Sequence, residues 1–289
     1  MPESESLKLL RVLSGSYRPG AIEAARLAER ARLNKLYLAF LRALGGPRDE
    51  LTREEARYRW FLGNAVEVVG ALRGLEYALF KFRRPVEHVS VDLDVLIGRG
   101  CVARAVRALR DRGFRIVVAE PYTVTLERRG FIVDLYTEPA FAWVVYMDGG
   151  RLLRECSEDV ELAGVPARGL PRGAEVAVAA AHAVYKEHLV LLLDCLVAWS
   201  WLDSEAWSVA AECGVEAALA ELLGACGLVA GGLAEAPLRL GPGALLRAYA
   251  GKAARDPAFR ATLPNALRYL LSRGDAGARV LARIARKSY

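Results

Sequence analysis

Glutamine is absent from the 289-residue chain, and asparagine occurs only at Asn34, Asn64 and Asn265. Together with abundant arginine and alanine, that bias fits a heat-adapted or a high-GC source, two causes that composition does not separate. No uninterrupted apolar run reaches the roughly 18 residues of a membrane-spanning helix, so no membrane partner is expected. Even the apolar stretch 176–201 is broken by His182, Lys186, Glu187, His188 and Asp194. The opening Met1-Pro2-Glu3-Ser4-Glu5-Ser6 lacks the basic and apolar regions of a secretion signal, and a cytoplasmic location is expected. No Cys-x-x-Cys pair occurs either: Cys101, Cys156, Cys195, Cys213 and Cys226 are scattered and odd in number. That argues against a zinc site or a disulfide framework and leaves buried thiols as the expectation.

What the chain does contain is apolar mass and arginine. At 54% hydrophobic it can bury the core of one large domain or two modest ones. Forty Lys+Arg against 34 Asp+Glu leave a net charge of +6, a mild excess that suits phosphate-rich partners. Apolar residues recur at helical spacing over 19–45 and stop at Gly45-Gly46-Pro47, predicting one amphipathic helix. Thr52-Arg53-Glu54-Glu55 reads as a capping box that opens a second helix, running to about Val69.

After Pro85 the texture changes to period-two alternation. Residues 89–97 read as a strand, 102–112 as a helix closed by Gly113, and 114–118, 123–127 and 131–136 as three further strands. The last two are joined by a turn at Arg128-Arg129-Gly130. A mixed or antiparallel sheet with helices, an α/β (α+β) fold, is the expectation. Beyond Pro171 strand signals fade. Helices are predicted over 174–202, over 204–214 with Asp203 or Ser204 as cap, and over 215–226, 243–254 and 257–272, with a Gly-rich loop at 227–243. The expected organisation is therefore an α/β part with N-terminal helices, 1–170, and a helical bundle, 171–289.

Asp92 and Asp94 stand two apart in the first of those strands, so their carboxylates share one face while Val91, Leu93 and Val95 take the other. Burying such a pair requires compensating cations. Either Arg83, Arg84 or Arg99 supplies the charge, or a hard ion such as Mg²⁺ or Mn²⁺ does. About 40 residues on, Asp134 occupies another apolar strand, and a third carboxylate beside the pair is what two-metal phosphoryl chemistry uses. About 18 residues upstream, Gly74 follows an apolar helix, where its backbone N–H could meet a phosphate within reach of Arg73.

The segments Arg73-Gly74-Leu75-Glu76, Arg84-Pro85 and Val91-Asp92-Leu93-Asp94-Val95-Leu96-Ile97 resemble a known signature. It is the Leu-Lys-Gly … Pro … Arg … Asp-Ile-Asp-Leu-Leu-Val pattern of the uncharacterised bacterial and archaeal nucleotidyltransferases, polymerase-β-like proteins related to nucleotidyltransferase toxins. The likeness extends through Leu109-Arg110-Asp111-Arg112-Gly113-Phe114, Asp134, and the series His182, His188, Asp194, covering residues 60–202. Two departures stand out: Leu75 replaces the usual Gly-Ser or Gly-Gly partner, and Arg73 replaces a lysine.

The resemblance implies a polymerase-β-like sheet whose cleft is closed by the helical bundle. It implies transfer of a nucleoside monophosphate from a triphosphate such as ATP to a hydroxyl. Asp92, Asp94 and Asp134 would be the catalytic and metal-binding residues, with Arg73, Gly74 and Lys186 steadying the phosphates. Lys186 has an exposed lysine as its alternative reading, and Asp194 an internal ion pair. His182 and His188 are too far around a helix to share one metal and read as core or capping histidines. The arginine-rich segments 104–115 and 279–287 read as solvated faces or as RNA-following ones, and Trp143, Trp199, Trp201 and Trp207 as core or as base-stacking platforms. RNA, tRNA included, is the favoured acceptor. Two alternatives stay open: a non-catalytic nucleotide- or RNA-binding module, suggested by Leu75, and a toxin-like enzyme held by a protein antitoxin.

Overall fold

The structure is a computed structural model, and it describes residues 3–272 and 288. The basic segment 279–287 lies outside the described residues. The chain opens with α1 (Glu5–Leu13), α2 (Ala21–Leu33) and α3 (Tyr37–Leu44), followed by the long α4 (Arg48–Leu72). The single helix expected over 19–45 is thus two. Asn34 divides it: its Nδ2 donates to the carbonyls of Arg30 and Ala236, each at 2.9 Å, and its Oδ1 accepts the Leu192 N–H at 2.8 Å. Lys35 then turns left-handed at φ 58°, which a helix cannot continue through. The expected capping box is likewise corrected, because α4 starts four residues earlier, after Pro47, and Glu55 pairs with Arg42 at 2.7 Å rather than closing a cap.

The strands are β1 (Tyr77–Leu79), β2 (Asp92–Ile97), β3 (Arg115–Ala119), β4 (Thr123–Arg128), β5 (Phe131–Tyr136), the small hairpin β6 (Ala140–Phe141) and β7 (Val144–Val145), then β8 (Glu158–Leu162) and β9 (Val165–Gly169). Seven of them form one mixed sheet in the order β3-β4-β5-β2-β1-β9-β8, with β2–β5 and β1–β9 parallel and the rest antiparallel. Between β2 and β3 runs α5 (Val102–Arg110), and α6 (Gly149–Glu155) precedes β8. Four strands were legible; β1, β8 and β9 were not. β1 is a three-residue buried run with no alternation to read. The β8–β9 hairpin turns at Ala163-Gly164, both at positive φ, where alanine gives little turn signal.

The bundle holds α7 (Arg172–Ala181), α8 (Leu192–Trp201), α9 (Ser204–Glu212), α10 (Glu216–Ala230), α11 (Pro242–Arg255), α12 (Pro257–Thr262) and α13 (Pro264–Ser272). The helix expected over 174–202 is broken. After α7 come a π-helical turn, His182–Glu187, and a left-handed His188 at φ 55°; then β10 (Leu189–Val190) pairs with β11 (Leu238–Arg239). Asp194 restarts the helix by accepting the Leu191 N–H at 2.8 Å. The expected loop 227–243 is shorter, since α10 reaches Ala230 and β11 follows. Pro264, which has no N–H to donate, divides the helix expected over 257–272. The cysteine expectation is also corrected: Cys195 of α8 and Cys226 of α10 form a disulfide, with Cα atoms 5.2 Å apart, while Cys101, Cys156 and Cys213 are thiols.

Buried side chains form two clusters. One lies between α4, α5 and one face of the sheet and includes Leu72, Leu93, Val95, Phe131 and Val133. The other joins α1–α3 to the bundle and reaches the opposite sheet face at Phe80, Leu96 and Tyr136. No helix among the described residues is long and apolar enough to cross a membrane.

Candidate active site

The site stands on that second sheet face. Period-two alternation points Leu93 and Val95 into the first cluster and leaves Asp92 and Asp94 on the other side of β2. β5 lies parallel to β2 with Asp94 directly beside Asp134. One carboxylate oxygen from each of Asp92, Asp94 and Asp134 lies within 4.8 Å of the others. The structure therefore brings together the three aspartates that sequence reasoning singled out.

Such proximity is unfavourable for three anions, and the site shows it. Burial, with the Asp94 charge added, raises Asp134 to about 6, even though the Thr125 hydroxyl donates to its Oδ1. The same two causes raise Asp92. A cation offsets part of the repulsion: Lys81 Nζ stands 2.8 Å from Asp94 Oδ2. Burial alone would lower this lysine, but Asp94 and its neighbours reverse that and hold the ammonium above its ordinary value. Asp94 Oδ1 is buried with no hydrogen-bond partner among the described residues. A buried carboxylate oxygen in that condition, on a residue grouped with two further carboxylates, fits a hard divalent ion.

Lys81 is itself held in an uncommon conformation, left-handed at φ 55°. Glu175, fully buried on α7, fastens it by accepting the N–H groups of Lys81 at 2.9 Å and Phe82 at 3.3 Å, and it also meets Arg84 at 3.4 Å. Arg83 and Arg99 pair with Glu158 and Glu138. The arginines proposed as partners of Asp92 and Asp94 are thus engaged with glutamates, and the ion pair runs through Lys81. Sequence reasoning missed this residue. Its signal was Leu79-Phe80-Lys81, a lysine after a short apolar strand.

A cleft of about 380 Å³ opens beside the triad, lined by Lys35, Lys81, Arg84 and Lys186 together with Asp92 and Asp94. Lys186 arrives on the π-helical turn, its ammonium 5.7 Å from the centre of the Tyr136 ring. Arg73 and Gly74 are not brought to this place. β1 runs antiparallel to β2 with Tyr77 opposite Ile97, so the two residues sit exposed beyond the Ile97 end of β2, away from Asp92. Leu75 lies there as well. His182 and His188 diverge: His182 faces Glu187 at 3.6 Å in the cleft, whereas His188 Nε2 meets the Tyr249 hydroxyl at 3.0 Å. Trp201 lines a second, more aromatic cleft that also reaches Asp92 and Asp94, with Tyr58, Phe61 and Phe82. Trp143 packs on Tyr269 instead.

Fold and site together define a mixed α/β chain with a part-buried acidic triad beside a cleft lined by lysines, an arginine and carboxylates. No family model matches the chain, and no curated protein matches its sequence. Among solved structures it is similar to the antibiotic-resistance factor ANT(2'')-Ia, with a TM-score of 0.39 and 15% identity, over 52% of this chain and 89% of that one. A likeness of that depth carries no argument about activity, which rests on the geometry above.

Proposed function

We propose that the protein is a metal-dependent nucleotidyltransferase that moves a nucleoside monophosphate from a nucleoside triphosphate to a hydroxyl acceptor. The observation that carries this reading is the triad: three carboxylates from two adjacent parallel strands within 4.8 Å, one of them with a buried, unpartnered oxygen. Asp92, Asp94 and Asp134 would hold Mg²⁺ or Mn²⁺, which supplies Lewis-acid stabilisation of phosphate charge and lowers the pKa of a hydroxyl. Asp134, beside the pair on β5, would complete the metal site and orient the acceptor hydroxyl or take its proton. As that proton leaves, the acceptor oxygen bonds to the α-phosphorus, the α–β bridging P–O bond breaks, and pyrophosphate departs with the electron pair. Lys81 fixes Asp94, and Lys186 lines the cleft on the side where the phosphates would lie. Arg73 and Gly74 have no part in this proposal.

In the proposed two-part organisation, 1–170 and 171–289, the cleft lies where β2 meets residues of α7, the π-helical turn and α8. The aromatic cleft holding Trp201 supports an acceptor that carries planar rings able to stack, and the bases of RNA meet that description. The non-catalytic alternative loses its original motive, because Leu75 stands away from the triad. No observation among the described residues favours an antitoxin-held form.

The test is pyrophosphate release with Mg²⁺ or Mn²⁺ across four nucleoside triphosphates and a panel of RNA, protein and small-molecule acceptors. Release is expected for the wild type and should fall roughly 10³-fold or more in Asp92→Asn and Asp134→Asn. Equal release by these variants and the wild type would sink the proposal.

A further inference from the structure

We infer that Lys35, supplied by the N-terminal helices from outside the stretch that carries the family resemblance, is a ligand for the nucleotide's polyphosphate chain in the basic cleft. The inference rests on the nucleotidyltransferase reading. Lys35 stands in the turn between α2 and α3 and lines the cleft that also holds Asp92, Asp94, Lys81, Arg84 and Lys186. The turn is not a loose connection. Asn34 ties it to the carbonyl of Ala236 and to the N–H of Leu192 at the start of α8, whose first turn carries Asp194 into the same cleft. The position is therefore set from two directions, by the N-terminal helices and by the bundle.

Backbone conformation makes the choice of residue informative. At φ 58° glycine would be the relaxed occupant and asparagine the next, whereas a lysine is held there against its preference. A lysine at such a place points to its ammonium as the reason. That ammonium joins Lys81, Arg84 and Lys186 around one cavity, and burial draws it below its ordinary pKa, with Lys81 and Arg84 adding to the effect while Asp92 and Asp194 oppose it. Lys81 already meets Asp94, and Arg84 already meets Glu175. Four carboxylates, Asp92, Asp94, Glu187 and Asp194, line the same cavity, so with Asp92 and Asp94 taken up by divalent ions the four cations would be left in excess, and a polyanion is the ligand that offsets them. A triphosphate reaching the triad from this side would lie among them. The competing account is that Lys35 only neutralises Asp92 and Asp194.

Lys35→Gly separates the two, because glycine relaxes the left-handed turn while removing the ammonium. Lys35→Arg keeps the charge. Affinities of the full chain for the four ribonucleoside triphosphates and their monophosphates would be measured by calorimetry in Ca²⁺, with melting curves alongside. Lys35→Gly should keep the wild-type melting temperature and lose about tenfold or more in triphosphate affinity, with monophosphate affinity changed within about twofold; Lys35→Arg should restore most of the loss. A variant that keeps the wild-type preference for triphosphate overturns the assignment of Lys35. So does one that binds Mn²⁺ more tightly with that preference intact, as a neutraliser of carboxylates would. A wild type with no preference for triphosphate over monophosphate overturns the nucleotidyltransferase reading itself, and the inference with it.

Discussion

Asp92, Asp94 and Asp134 share a cluster but not a role in stability, because Asp94 is in ion-pair contact with Lys81. Asp92→Asn and Asp134→Asn remove an anion that burial and Asp94 already disfavour, and after Asp134→Asn the Thr125 hydroxyl can still donate to the side-chain amide oxygen. Both variants should leave the metal-free protein as stable as the wild type or more so, by up to roughly 3 kcal/mol for Asp134→Asn. Asp94→Asn instead strands the Lys81 ammonium in a buried place and should cost about 3–5 kcal/mol. Melting curves in EDTA and in Mn²⁺ check this: the metal-induced rise seen for the wild type should vanish in all three, and a rise that persists would remove the triad from metal binding. The pH dependence follows from the same groups. The folded-state pKa of Asp134 lies above its unfolded value, so its ionisation opposes folding fully above about pH 6, and the penalty disappears as the pH falls toward 4. In EDTA the wild type should therefore melt higher at pH 5 than at pH 7.5, with Asp134→Asn flattening the difference. A wild type that melts lower at pH 5 would show that other groups outweigh the triad.

At the level of elements, strands β2 to β5 were legible as short β-branched runs, and alternation in β2 and β5 also placed the aspartates on one face. The breaks in the helices were not legible. They depend on partners far along the chain: Asn34 stops α2 by bonding to Ala236 and Leu192, and Asp194 restarts α8 after a strand that pairs with β11. Periodicity within one segment contains no record of such contacts. Lys81 was hidden for a related reason, since its role comes from a left-handed turn held by Glu175, 94 residues away. Replacing Glu175 tests that device. Glu175→Ala leaves two backbone N–H groups and the Arg84 guanidinium without their acceptor, and should cost about 3–5 kcal/mol in chemical denaturation. Glu175→Gln keeps one acceptor oxygen and should cost less. A loss below about 1 kcal/mol for Glu175→Ala would mean that the loop is held by other contacts.

Charge is the property that belongs to the whole molecule, and its distribution decides what the net +6 is for. The cleft cations are engaged with carboxylates or face the proposed polyphosphate, so they are poorly placed to follow a long nucleic-acid strand. The arginines of α5 are different. Leu109 and Ala105 bury one side of that helix, and Arg104, Arg107 and Arg110 emerge exposed from the other, with Arg112 and Arg115 continuing the basic surface beyond its end. Of these, Arg115 is paired with Glu127. If RNA is the acceptor, this face can, among the described residues, run along its phosphates, and each phosphate neutralised releases counterions, so affinity should fall steeply as salt rises. For single-stranded RNA each contact contributes about 0.7 to the slope of log affinity against log salt concentration. Substituting Arg104, Arg107 and Arg110 together by glutamate should therefore flatten that slope by roughly 2 and weaken binding at low salt, with little change in melting temperature, because all three side chains are solvated. Triphosphate affinity should be unaffected, since the cleft is lined by other residues. Fluorescence anisotropy with a labelled RNA over a salt series reads the slope directly. Binding that ignores salt, or a slope unchanged in the triple variant, would take the acceptor off this face and return the α5 arginines to a solvating role.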